Sequence, residues 1–423
     1  MTAAAATEPR SWFGQPAGLT ILFLTEMWEK FSFFGMRALL VYYMTKQLLI
    51  GQENVSLIYG FYTAFVYLTP IAGGVVSDRW LGRRRAVIIG GSVMALGHFM
   101  MAFEPLFYAA LASIALGNGL FLPSLPSQIG ALYAPEDPRR VRSYNIYYVG
   151  VNLGGFLAPL VCGTLGELYG WHYGFAAAGI GMLSGLAIYV AGGRHLPADP
   201  PRAQQAAVST AAQTDRWRLF LLLGAIVCAV IVFRGAYEQV GNTVALWADQ
   251  GVDRAIGADF SIPMTWFQSL NPLLVFALTP PLLAWWSRLA LRGREPAPLR
   301  KMALGAGGVA ASYLMLALVT IFGAGPASWL WLVAFFVVLT AGELFVLPVG
   351  LGLFARLAPT GMAATTIAAW FLAAFAGNLL AGALGTLWSR LSASTSFVLM
   401  AAVAALSSLA LLMLSMRRLR ALD

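Results

Sequence analysis

The sequence is poor in charge and nearly devoid of cysteine. Charged residues are 11% of the chain and hydrophobic residues 59%, against about 25% charged in a soluble globule. That balance excludes a water-soluble fold with a mostly polar exterior and leaves an integral membrane protein. The two cysteines, Cys162 and Cys228, both lie in apolar segments, which excludes a disulfide framework and a thiolate metal site. No metal and no other cofactor is expected. The chain lacks a Walker-type phosphate loop, so work done at the membrane must draw on a gradient. No nucleophile stands beside a base, so an enzyme is not expected. Strand-like alternation over blocks of about ten residues is missing, which argues against a β-barrel. The opening stretch MTAAAATEPRSWFGQP lacks the basic, apolar, small-residue order of a cleaved signal, so the first apolar segment is expected to be retained.

What the chain has is long apolar runs. They lie at 17–47, 55–77, 85–103, 106–133, 142–166, 172–192, 217–248, 261–287, 300–322, 328–356, 361–390 and 395–416, about twelve transmembrane helices by length. The expected class is an all-α membrane protein. The net charge of +9 is unevenly spread: Arg79 and Arg83 to Arg85, Arg139, Arg140 and Arg142, Arg194, Arg202 and Arg216, and Arg288, Arg292, Arg294, Arg300 and Lys301 fall in alternate loops. The opposite loops hold Glu53, Glu104, Glu167, Asp249, Asp253 and Asp259. The positive-inside rule then puts both termini in the cytoplasm of a multi-pass plasma membrane protein. This distribution is a topology signal, and no nucleic-acid partner is expected. The Pro-, Ala- and Gln-rich stretch at 193–216 reads as a cytoplasmic linker between six-helix bundles at 17–192 and 217–416, with tails at 1–16 and 417–423. Two such bundles suit a transporter built from repeats, although no residue-level repeat is evident.

Ionisable groups inside a span cost about 2.5–3.5 kcal/mol each on insertion scales, which makes them functional candidates. Glu26, Glu29, Lys30, Phe33, Phe34 and Arg37 share one helix face. Glu26 and Lys30 can pair at i, i+4; a packing salt bridge is the competing reading. Arg234 and Glu238 repeat that spacing in the seventh span. Glu343 stands midway between Trp329 and Arg356 with no charge between, so it needs a cation, a proton or a substrate amine. His98 is either a proton relay or a packing residue. Asn152 and Asn271 serve as ligands or as interhelical hydrogen-bonding groups. Trp370, like other aromatics of the spans, is either pocket-lining or packed. In the loop after the second span, GGVVSDRWLGRRR, Asp78 can pair with Arg79, Arg83 and Arg84 and so latch a bundle conformation. Its pattern, G-x-x-x-D-R-x-x-G-R-R, resembles the loop signature of the major facilitator superfamily.

A narrower resemblance joins these residues. Glu26-x-x-Glu29-Lys30-Phe31-x-Phe33-Phe34-Gly35 resembles the first-helix motif of proton-dependent oligopeptide transporters, ExxERFxYYG, and Met36-Arg37 follows it. The likeness continues through YNIYYVGVNLGGFLAP, GWHYGFAAAGIGM, Glu238-Gln239, FQSLNP, ELFVLPVGL and Trp370-Phe371-Leu372 with Asn378. It implies the major facilitator fold and import of di- or tripeptides, or similar small zwitterionic solutes, by proton symport and alternating access. On this resemblance Arg37 holds the peptide carboxylate and Glu343 the amino terminus. Asn152, Asn271 and Trp370 line the pocket, and Glu26, Glu29 and Glu238 couple protons.

The motif is altered in this chain. Lys30 replaces an arginine, a point charge for a planar fork. Phe33 and Phe34 replace tyrosines. Leu122 and Ser124 stand where the family has lysine and asparagine in a GxGxxKPN stretch. Arg234 stands at a usually aromatic position, where it is expected to supply a relocated positive charge. Two rival readings stay open: a divergent member carrying another solute or lacking proton coupling, and a non-transporting membrane sensor. The expected partners are the zwitterionic substrate, protons and the bilayer, with the chain working as a monomer.

Overall fold

A computed structural model of the chain describes residues 14–134, 136–197, 216–358 and 363–420. The expected linker at 193–216, including Arg202, lies largely outside the described residues, as do most of the two tails. The helices are α1 (Ala17–Lys46), α2 (Gln52–Val76), α3 (Arg83–Met100), α4 (Phe107–Ser124), α5 (Arg139–Ala158), α6 (Thr164–Leu168), α7 (Trp171–Ala191), α8 (Arg216–Tyr237), α9 (Thr243–Gln250), α10 (Leu270–Leu291), α11 (Pro298–Phe322), α12 (Trp329–Leu357), α13 (Ala363–Gly385) and α14 (Ala393–Arg420). Two-residue ladders in the loops pair Val252 with Ala327 and Ala255 with Ser261.

Among the described residues, 10 helical segments are long and apolar enough to cross a bilayer. One runs through α5 and α6, and another through α8 and α9. Helices α1 and α3 add span-length segments that carry charge, Glu26, Glu29, Lys30 and Arg37 in the first and Arg83 to Arg85 at the start of the second. The all-α membrane class read from the apolar runs holds. Large apolar side chains such as Leu96, Leu116, Ile180, Leu304 and Leu406 are exposed, which carries no penalty where the solvent is lipid.

By internal contacts the chain divides into two compact units, residues 1–36 with 69–205, and residues 37–68 with 206–423. In the first, α3 packs on α4 and α7, and Leu22, Val87, Met94, Phe121, Met182 and Tyr189 fill the core. Helix α5 approaches α1 closely at Gly154, where a Cβ would lie 2.1 Å from the Met27 carbonyl oxygen. Only glycine permits that approach, a small-residue contact of the kind that joins helices in lipid. In the second unit, α11 packs on α12 and α14, and α8 on α13 and α14. Phe233, Tyr313, Phe335, Phe336, Phe354 and Phe397 are among its buried core.

Candidate functional site

The first unit holds an acid-rich cluster on α1. Helical spacing aligns Glu26, Glu29 and Lys30, and the Lys30 ammonium lies 3.3 Å from Glu26 and 2.6 Å from Glu29. Both carboxylates are buried, yet Glu26 Oε2 and Glu29 Oε1 have no hydrogen-bond partner among the described residues. One ammonium therefore serves two carboxylates, and the cluster is one positive charge short. Tyr147 of α5 faces Glu26 without closing a hydrogen bond to it. Phe33 and Phe34 meet edge to face at 5.4 Å and are half-buried, as is Leu122. The Asn152 amide donates to the Tyr148 carbonyl of its own helix at 3.0 Å. His98 is fully buried with neither ring nitrogen bonded among the described residues, so no relay partner adjoins it.

The second unit gathers the remaining charges around Glu238. The α8 helix stops at Tyr237, and Glu238–Gly241 forms a tighter 3₁₀ turn before α9. Gln239 helps hold that break by donating to the Ala381 carbonyl of α13 at 2.8 Å. The Glu238 carboxylate is shared: Oε1 accepts from Arg234 Nη1 at 2.7 Å and Oε2 from Arg37 Nη2 at 2.7 Å. Its side chain is 3% exposed, Arg234 7% and Arg37 17%, so this is a desolvated triad with one more cation than anion.

Two tyrosines of α2 complete the triad's surroundings. Arg37 Nε donates to the Tyr59 hydroxyl at 2.8 Å, and the Arg234 guanidinium lies over the Tyr67 ring at 5.1 Å, a cation–π contact. Two glycines make room. A Cβ at Gly377 of α13 would fall 2.5 Å from the Arg234 Cβ, and one at Gly241 would fall 2.0 Å from the Tyr59 hydroxyl.

Glu343 has different partners. Asn271 of α10 donates to its Oε2 at 2.5 Å and to Thr340 at 3.1 Å, and the Tyr237 hydroxyl faces it. No cation pairs with Glu343 among the described residues. Trp370 packs edge to face on Phe354 at 5.3 Å and against Gly350.

In the loop between α2 and α3, Arg83 donates to the Ser127 carbonyl at 3.2 Å, and the Arg84 guanidinium fills the space beside Gly193. Asp78 and Arg79 are exposed, and no ion pair joins Asp78 to the loop arginines among the described residues. The turn is held instead by the Ser124 hydroxyl donating to Ser77 at 2.9 Å.

With this geometry in view, similarity to known proteins is decisive. A family model described as "POT family" matches residues 84–214 and 202–401. The chain is 33% identical to "Peptide transporter YePEPT" of Yersinia enterocolitica, over 89% of this chain and 88% of that one. It is also 33% identical to a "Di-/tripeptide transporter" of Lactococcus lactis, over 86% and 88% of the two chains. The chain belongs to the POT family. A solved structure of "peptide transporter POT in complex with sulfate" superposes with a TM-score of 0.89 at 30% identity, covering 97% of this chain and 96% of that one. The fold is that of the major facilitator transporters, and the protein is a multi-pass protein of the plasma membrane.

The residues that sequence reasoning missed are Tyr59, Tyr67 and Tyr237. Tyr59, Thr63 and Tyr67 recur every four residues, which marks a hydroxyl-bearing face of α2. Tyr237 directly precedes Glu238, and nothing in its local pattern distinguishes it. In this POT-family chain Phe33 and Phe34 lack the motif hydroxyls, and α2 brings two phenols to the arginines from another helix.

Proposed function

We propose that the protein is a secondary transporter, and no enzyme, that imports di- and tripeptides or similar small zwitterions by proton symport and alternating access. The relatives named as peptide transporters support the substrate class. The observation that carries the reading is Glu343, a carboxylate bonded by a neutral amide, faced by the Tyr237 phenol, and with no counter-cation among the described residues. A substrate ammonium supplies that missing charge. Arg37 and Arg234 together exceed Glu238 by one charge and offer the matching place for a substrate carboxylate. A peptide of variable side chain is best held by its two charged ends. Asn271 positions Glu343, while Asn152, Trp370, Phe33, Phe34 and Leu122 shape the substrate path.

Glu26, Glu29 and Lys30 form the coupling cluster, in which a bound proton restores the charge balance that one ammonium leaves incomplete. Glu238 and Arg234 act as the gate on Arg37. Asp78, Arg79, Arg83 and Arg84 belong to a conformational latch that is open in this structure, where Asp78 makes no ion pair among the described residues. Both termini face the cytoplasm, bundles at 17–192 and 217–416 flank the linker at 193–216, and the chain works as a monomer in the bilayer.

The test is uptake of labelled dialanine into proteoliposomes with and without an imposed pH gradient, with N-acetylated dialanine as competitor. Dialanine should accumulate only under an inward proton gradient, and the acetylated form should not compete. Uptake that ignores the gradient rejects the coupling; no uptake and no competition by any dipeptide rejects the substrate class.

A further inference from the structure

The loop joining α10 to α11 has a charge pattern that the transport reading does not use. From Arg288 to Lys301 it contains Arg288, Arg292, Arg294, Arg300 and Lys301 against Glu295 alone. That acid is already occupied: Glu295 pairs with the Lys301 ammonium, which also lies 4.0 Å from the centre of the Trp286 ring. Arg294 and Arg300 are exposed and make no ion pair among the described residues. Both line a cavity of about 640 Å³ at the start of α11, as does Glu295, whose charge is offset by its pairing with Lys301. Its other wall is apolar, formed by Leu304 and Gly307 of α11 and by Leu412 of α14. Ser408 beside them spends its hydroxyl on the Ala303 carbonyl at 2.7 Å, so this wall offers no free donor.

The cavity thus has a cationic end and an apolar end. Leu304 and Leu412 are exposed on span-length helices, where an acyl chain can lie against them. Helix α11 begins at Pro298, which has no N–H, and the Lys301 N–H is spent on the Ala297 carbonyl at 3.0 Å, so the donors at the cationic end are the two guanidiniums. We propose that this cavity binds an anionic phospholipid, its phosphate between Arg294 and Arg300 and an acyl chain along Leu304, Gly307 and Leu412. A soluble phosphate compound fits the cationic end alone and leaves the apolar wall without a role. Basic pockets beside transmembrane helices have the chemistry for such headgroups.

The test is native mass spectrometry of the purified full-length chain titrated with phosphatidylglycerol and with phosphatidylcholine of the same acyl chains. Phosphatidylglycerol should be retained in preference. The double variant Arg294→Ala/Arg300→Ala should weaken its retention about 25-fold, the equivalent of two contacts of about 1 kcal/mol each at 1.4 kcal/mol per tenfold. Arg294→Lys/Arg300→Lys should keep most of it, and Leu304→Ser should weaken it with both charges in place. Equal retention of the two lipids, full retention by the double alanine variant, or displacement of phosphatidylglycerol by glycerol phosphate at comparable concentration would each overturn the proposal.

Discussion

Because Glu238 is divided between two guanidiniums at 2.7 Å each, substitutions at Glu238 and Arg234 should not add. Glu238→Gln leaves Arg37 and Arg234 desolvated around a neutral amide. Removing one member of a buried pair in this way costs about 3–5 kcal/mol, because the orphaned charge stays buried. Arg234→Leu is milder: it deletes one charge-assisted hydrogen bond, about 1.5–3 kcal/mol, relieves the desolvation of a guanidinium, and leaves the Arg37–Glu238 pair intact. Combining the two leaves a single unmatched cation, Arg37, still bonded to Tyr59. The double variant should therefore be more stable than Glu238→Gln alone, by on the order of 2 kcal/mol. At about 2 °C per kcal/mol for a large chain, that is a recovery of roughly 4 °C in Tm. Intrinsic tryptophan fluorescence of the purified protein, heated at one fixed ramp rate, reads the difference. A double variant that melts at or below Glu238→Gln would show that the two arginines do not share the carboxylate, and the charge count at this site would fail.

Glu343→Gln keeps the shape and the polar neighbours Asn271 and Tyr237 but removes the carboxylate charge. Dialanine uptake should fall about 30-fold or more, since a lost charge partner costs about 2–5 kcal/mol, while the Tm stays nearly unchanged; a fall in Tm with uptake preserved would make Glu343 a packing residue. Lys30→Gln strands two buried carboxylates and should destabilise by about 3–5 kcal/mol, with Lys30→Arg restoring expression and melting; indifference to Lys30→Gln in both measurements would contradict the pairing. Gly377→Leu drives a side chain into the space of Arg234, where even a Cβ would stand 2.5 Å away. It should cost about 1–3 kcal/mol by overpacking, and a combined Arg234→Ala change should recover part of the lost Tm.

The apolar runs made the helices legible, because a segment that must span lipid has to carry its hydrophobicity within itself. The run at 172–192 became Trp171–Ala191, and that at 17–47 became Ala17–Lys46. Breaks within spans were not legible. The run at 217–248 conceals the turn at Glu238–Gly241, which Gln239 helps hold through a carbonyl 142 residues away. Local charge pairs followed from helical spacing, as at Glu26 with Lys30 and Arg234 with Glu238. The longer pairings, Arg37 with Glu238 across 201 residues and Asn271 with Glu343 across 72, depend on which helices become neighbours. No window on the sequence reports that. The altered motif predicts Arg234 as a relocated cation, and the structure pairs it with Glu238. The loop pattern predicts Asp78 as a partner for the arginines, but its exposure in the turn after α2 leaves it outside their contacts, which go to the Ser127 carbonyl and the surface of Gly193 instead.

Neither charge cluster is neutral by itself. The Glu26, Glu29 and Lys30 group lacks one positive charge, and the Arg37, Arg234 and Glu238 group has one to spare, with Glu343 standing apart without a cation among the described residues. Buried charge is costly unless it is compensated, and the proposed transport cycle fits each imbalance: a proton at the first, a substrate carboxylate at the second, a substrate ammonium at Glu343. A zwitterion meets the last two demands together, whereas an anion or a cation meets only one. The same count explains why replacing Lys30 for arginine in the motif is tolerable and losing its charge is not: a point charge can still serve two carboxylates, but a neutral side chain leaves both unserved. With Leu122 in place of a lysine, Arg37 and Glu238 alone would cancel, and on the proposed reading Arg234 restores the positive excess that a substrate carboxylate requires.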